Sequence, residues 1–75
     1  MTGESRYNGA KAAFFEVLQT LGAEPFTPIS NYEIGPPMIM RGFTEHEIVN
    51  MFFSLQVTKE IELLPGNRLQ ILSEL

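Results

Sequence analysis

The sequence predicts an α+β domain with two main helices, a candidate short helix between them and a C-terminal β-hairpin. Three observations carry that prediction. Apolar residues recur three and four positions apart over Gly9–Leu21 and again from Ile48 to Leu55, which gathers them on one side of a helix. From Lys59 to Leu72 the pattern changes to alternation on either side of Pro65-Gly66-Asn67, the period of a strand that turns back on itself. Between the helical segments the chain is punctuated by Pro25, Pro28, Pro36 and Pro37.

Length permits one such unit and no more. A chain of 75 residues hides only about 60% of the surface that its unfolded form exposes, so its stability is thin. Residues 1–8 are polar and are read as a flexible N-terminus; residues 9–75 are read as a single small domain.

In the first helix Ala10, Ala13, Phe14, Val17, Leu18 and Leu21 form the apolar stripe. Phe15 stands about 100° from Phe14, at the stripe's edge. Gly22 is placed to end the helix in the left-handed conformation. In the middle segment Thr27 reads as an N-cap with Pro28 at the first helical position. That gives a short helix over Ile29–Ile34 closed by Gly35. Pro36-Pro37 then calls for an extended or turning backbone, because each ring fixes φ and removes a donor. Met38-Ile39-Met40 reads as a short strand or as apolar packing in a loop.

The second main helix has the strongest start signal in the chain. Thr44-Glu45-His46-Glu47 spells a capping box, flanked by Phe43 and Ile48 for a hydrophobic staple. Ile48, Met51, Phe52 and Leu55 supply its core stripe, and the helix is expected to run to about Gln56. In the hairpin, placing Ile61, Leu63, Leu69 and Ile71 on one face sets Leu63 opposite Leu69 and Ile61 opposite Ile71. Asn67 is then able to take the left-handed position in the turn.

A helix, a short helix, a longer helix and a hairpin, in that order, resemble a winged helix-turn-helix domain. Gly42–Phe53 looks like its third helix and Lys59–Leu72 like its wing. The resemblance is one of element order and not of a diagnostic motif. It implies that in a DNA-binding member the helix at Thr44–Gln56 enters the major groove.

Charge argues against that use. The net charge is −4 with a pI near 4.8, and only Arg6, Lys11, Arg41, Lys59 and Arg68 are available to neutralise phosphates. At the start of the third helix, Glu45 and Glu47 would repel a phosphate backbone. Arg41, Asn50 and Arg68 are the candidate nucleic-acid contacts of a DNA-binding alternative, Asn50 having the amide suited to adenine. No apolar run approaches the roughly 20 residues needed to span a bilayer, and Met1–Lys11 lacks the apolar segment of a signal peptide. A cytoplasmic protein is expected, with no membrane partner.

The sequence contains no Cys, no Asp and one His. His46 beside Glu45 and Glu47 suggests a metal or acid–base cluster, but consecutive helical residues diverge and no second His or Cys completes a zinc site. They read as cap and dipole residues. No spacing among Tyr7, Ser30, Tyr32 and the glutamates makes a converging constellation, so neither catalysis nor a cofactor is expected.

Apolar excess is the more informative feature. Val49 and Phe53 stand about 100° and 140° from Ile48, outside the core stripe and in line with His46. In a small domain the ordinary expectation is that the middle segment covers them, through Phe26, Ile29, Tyr32 or Met38. The alternative is a partner surface of Phe15, His46, Val49 and Phe53, extended by Met38 and Met40. Aromatic and Met side chains with few charges are what interface cores contain. On that reading the chain is a small acidic protein-interaction domain, acting as a homodimer or a regulatory subunit.

Overall fold

Helix α1 (Gly3–Leu21) is followed by strand β1 (Ile29–Ser30), helices α2 (Asn31–Met40) and α3 (Glu45–Val57), and strands β2 (Ile61–Leu64) and β3 (Arg68–Ile71). This is the arrangement in a computed structural model that describes residues 3–72. The fold is α+β, as the sequence predicts. The three strands form an antiparallel sheet in the order β1-β3-β2. The core joins Phe14, Val17 and Leu18 of α1, Ile34 and Met38 of α2, and Met51, Phe52 and Leu55 of α3 to Ile61, Leu69 and Ile71 of the sheet. Phe14 meets Phe52 edge-on, with ring centroids 5.6 Å apart.

The expected stripe on α1 is buried from Ala10 to Leu18, while Leu21 is exposed in the last turn. The helix begins well before Gly9 because the stripe itself continues upstream. Tyr7, one turn before Ala10, packs against the core, and Arg6 bonds across to α3. At the other end Gly22 has φ +70°, its N–H donates to Gln19 and that of Ala23 to Leu18. These are the two bonds of a Schellman motif.

The middle segment corrects the sequence reading. Thr27 does not cap a helix at Pro28; Ile29 and Ser30 instead pair with Leu69 and Arg68 as β1. Ser30 is the N-cap of α2, its Oγ accepting from the Tyr32 N–H at 3.1 Å. The helix then passes through Pro36 and Pro37 rather than stopping before them. Two ladder donors are lost, but the carbonyls they would have served belong to Tyr32 and Glu33, exposed residues where water substitutes. Gly35 has no Cβ to collide with the Pro36 ring, which removes part of the usual clash before proline. What holds the helix is burial: Ile34 and Met38, one turn apart, are both 0% exposed. Met38-Ile39-Met40 is therefore the last turn of α2 and neither a strand nor a loop.

Gly42, with φ +94°, ends α2, donating to Ile39 while Phe43 donates to Met38. That is a second Schellman motif. Phe43 thus closes one helix and immediately precedes the cap of the next, which makes the α2–α3 connection tight.

The hairpin has the expected register, Ile61↔Ile71 and Leu63↔Leu69. Asn67 takes φ +57° in its turn, beside Gly66 at φ +80°.

Candidate protein-interaction surface

Helix α3 is fixed at its start by charge as well as by its cap. The Thr44 hydroxyl accepts from the Glu47 N–H at 3.1 Å, and Glu47 Oε1 accepts from the Thr44 N–H at 3.0 Å. Arg6 of α1 grips the same carboxylate with Nε and Nη2, each at 2.7 Å, and lies 5.0 Å over the Phe43 ring. The bidentate bond from Arg6, followed by the Thr44 N–H, lowers the Glu47 pKa to about 2; the same pairing raises that of Arg6. Of the two glutamates opening α3, one is thus neutralised from within.

Ile48, Met51, Phe52 and Leu55 are buried as the spacing predicts. Val49 and Phe53 are not covered. They are 47% and 55% exposed, followed by Val57, so the expectation that the middle segment hides them is overturned. The reason lies in where that segment goes. Met38 turns fully into the core, Tyr32 is exposed, and Ile29 is tied to the sheet opposite Leu69. Phe26 is also exposed, its N–H donating to Ile71 at the far end of β3.

Val49 and Phe53 form one wall of an open groove of about 400 Å³, and the hairpin forms the other with Leu63, Leu64 and Arg68. The groove is more apolar than polar, with Asn31 and Asn67 also lining it, and Arg68 is the charged residue among its lining. Arg68 Nε donates to the Pro65 carbonyl at 3.2 Å. It has no ion-pair partner among the described residues, whereas Arg6, Lys11 and Arg41 are each held by a glutamate. The hairpin tip is anchored to α2, since Asn67 Nδ2 donates to the Tyr32 hydroxyl and the Asn31 N–H donates to the Asn67 carbonyl. The hairpin wall is tied to α3 directly, the Leu63 N–H donating to Gln56 Oε1 at 3.0 Å.

The other candidate residues disperse. His46 is exposed on the first turn of α3 and does not line the groove. Phe15 is half-buried, its ring 5.4 Å from Phe14 and packed against the core. Met38 cannot extend a surface patch because it is buried, while Met40 is 88% exposed at the end of α2. Among the nucleic-acid candidates, Arg41 Nη1 donates to Glu16 at 3.0 Å. Asn50 lines a separate cleft of about 280 Å³ between α1 and α3, with Arg6 and Tyr7. Arg41, Asn50 and Arg68 thus share no wall.

Leu64 is the apolar groove residue that the sequence reading missed. It follows Glu60 and Glu62 in the water-facing phase of β2, and an apolar residue in that phase was the available signal. Compared with protein-family models, curated proteins and solved structures, the chain matches none.

Proposed function

We propose that this domain works by protein–protein contact through the outer side of α3, on a winged-helix-like scaffold whose hairpin frames the contact. The observation that carries the reading is the exposure of Val49 and Phe53 beside the Leu64 wall. An aromatic and an aliphatic side chain flanking a groove with fixed walls supply the apolar centre from which binding energy comes. The order of helices and hairpin supports the scaffold. On a helix meant for the major groove, base edges and phosphates call for amides and cations, and here Val49 and Phe53 occupy that side.

The DNA-binding alternative has one feature in its favour, the unpaired Arg68 on the hairpin. Against it, three of the five basic side chains are engaged with glutamates.

Two measurements on the full chain separate the readings. With a photo-crosslinking amino acid at position 49, the protein should form a discrete protein adduct in its own cells, and the same probe at Gln19 of α1 should not. Selection from a random duplex library at physiological salt should enrich no sequence. Enrichment that requires Asn50 and Arg68 would transfer the function to DNA. Phe53→Glu should melt like the wild type while abolishing the position-49 adduct, because an exposed position tolerates the charge and an interface core does not.

A further inference from the structure

The groove beside α3 differs from end to end, and its polar end faces no anion of its own. Asn31 and Arg68 line it near the hairpin tip, where the Asn31 N–H meets the Asn67 carbonyl. The Nε bond to Pro65 folds the Arg68 side chain back over the turn, within 3.7 Å of where a Cβ on Gly66 would stand. Both Nη groups stay without a partner among the described residues. Asn31 is also the first residue of α2, so the positive end of that helix's dipole lies at the same place. Its Oδ1 is enclosed with no hydrogen-bond partner among the described residues, which leaves Nδ2 as the end able to donate outward. Glu33, the carboxylate of the first turn of α2, lines a different cleft. Cation, dipole and free amide donor therefore all ask for an anion at this end.

The form of the occupant follows from the backbone beside the groove. Leu72 donates to the Glu60 carbonyl, so by alternation Glu62 and Leu64 also turn their backbone groups to β3. Leu63 and Pro65 then turn theirs outward, along the groove. The Leu63 N–H is already spent on Gln56 Oε1, Pro65 has no N–H, and its carbonyl accepts from Arg68. Of these outward groups only the Leu63 carbonyl remains, so a peptide added as a strand would find almost no ladder. A helix brings its own backbone bonds and needs none. An open groove also cannot enclose the 70–90% of surface that a small ligand buries.

We propose that the groove receives an amphipathic helix of another protein, whose aspartate or glutamate meets Arg68 and Asn31 while its apolar residues pack between Val49–Phe53 and Leu63–Leu64. The proposal rests on the interaction-surface reading above and names the chemistry of the partner. Because the domain carries a net charge of −4, it repels an acidic tract, and the complement is a single carboxylate among apolar residues.

Selection from a displayed library of random peptides about 18 residues long, long enough to form a helix, tests it against the full chain. Enriched sequences should place apolar residues three or four apart, with one Asp or Glu about a turn away. In fluorescence anisotropy Phe53→Glu should abolish their binding, and Arg68→Glu should weaken it about tenfold. Both variants should melt like the wild type, since both positions are exposed. A second selection against Arg68→Glu should replace the carboxylate with Lys or Arg at the same place. No enrichment, an alternating apolar pattern, or peptides whose binding ignores Arg68→Glu would each overturn the proposal. In any of these cases the interaction-surface reading stands if the position-49 adduct forms and Phe53→Glu abolishes it. Without that adduct, both fall.

Discussion

Helices α2 and α3 are neighbours joined by a turn of four residues from Arg41 to Thr44, yet they are specified in opposite ways. Helix α3 announces itself locally, with a cap, a reciprocal carboxylate, acidic residues at the positive end of its dipole and a regular apolar stripe. Helix α2 carries a glycine and two interior prolines and still forms. Its two buried side chains, Ile34 and Met38, contribute about 1.5–3 kcal/mol each. That is the same order as the roughly 3 kcal/mol that an interior proline costs. The difference teaches that capped ends and a regular stripe together make α3 legible, whereas α2, though capped by Ser30 and closed at Gly42, offsets its prolines by what it buries.

The largest test of this contrast is Met38→Ala. If α2 depends on burial, the change should cost about 2–5 kcal/mol, a large part of a domain's total stability, and urea denaturation will show it. A loss under about 1 kcal/mol would mean that the Ser30 cap and the Gly42 end, and not burial, hold α2. In the other direction, Pro36→Ala restores a donor to the Tyr32 carbonyl at an exposed position. It should stabilise by about 1–2 kcal/mol after the lost rigidity of the unfolded chain is discounted. A lower midpoint in the same titration would show that the ring is needed where it stands.

For α3, Thr44→Ala removes the cap and should cost about 1 kcal/mol, several degrees in thermal melting for a domain of this size. No comparable loss is expected from an alanine at Thr27, which caps nothing. The smallest effect is visible only against pH. Glu47 titrates at about 2 in the folded chain against 4.5 ordinarily, so its bonds to Arg6 and Thr44 stabilise the fold at all pH values above the ordinary one. That contribution is lost as pH falls from about 4.5 towards 2. Glu47→Gln should flatten this part of the acid limb, and Arg6→Gln should shift the Glu47 titration upward by NMR. An unchanged acid limb in Glu47→Gln would place the acid sensitivity in other carboxylates.

Much of the frame was legible because it is written locally. The α1 stripe, the Gly22 stop, the Thr44–Glu47 box and the hairpin register all follow from residues within a few positions of one another. The middle was misread although its signals were present. Ser30-Asn31-Tyr32-Glu33 repeats the Ser/Thr-x-x-Glu spacing of a helix start, and Gly42 marks a helix end in the same way as Gly22. Both were outweighed by Pro36-Pro37, whose local preference is to stop a helix. The candidate surface was half legible: Val49 and Phe53 stood out as surplus apolar residues, but nothing near them in sequence says whether they are covered.

By itself, then, the sequence determined the class of fold, the two main helices, the faces they bury and the pairing of β2 with β3. Periodicity and capping act over one or two turns, and such rules need no knowledge of the rest of the chain. The tertiary structure alone decided three things: that α2 runs through its prolines, that Ile29–Ser30 joins the sheet beside Leu69, and that the middle segment leaves α3's outer side bare. Each depends on where a distant segment finds its burial. Ile34 and Met38 reach a core assembled from α1, α3 and the sheet, and in turning there they carry their neighbours away from Val49 and Phe53. Burial is a property of the assembled whole, so no window of the sequence contains it.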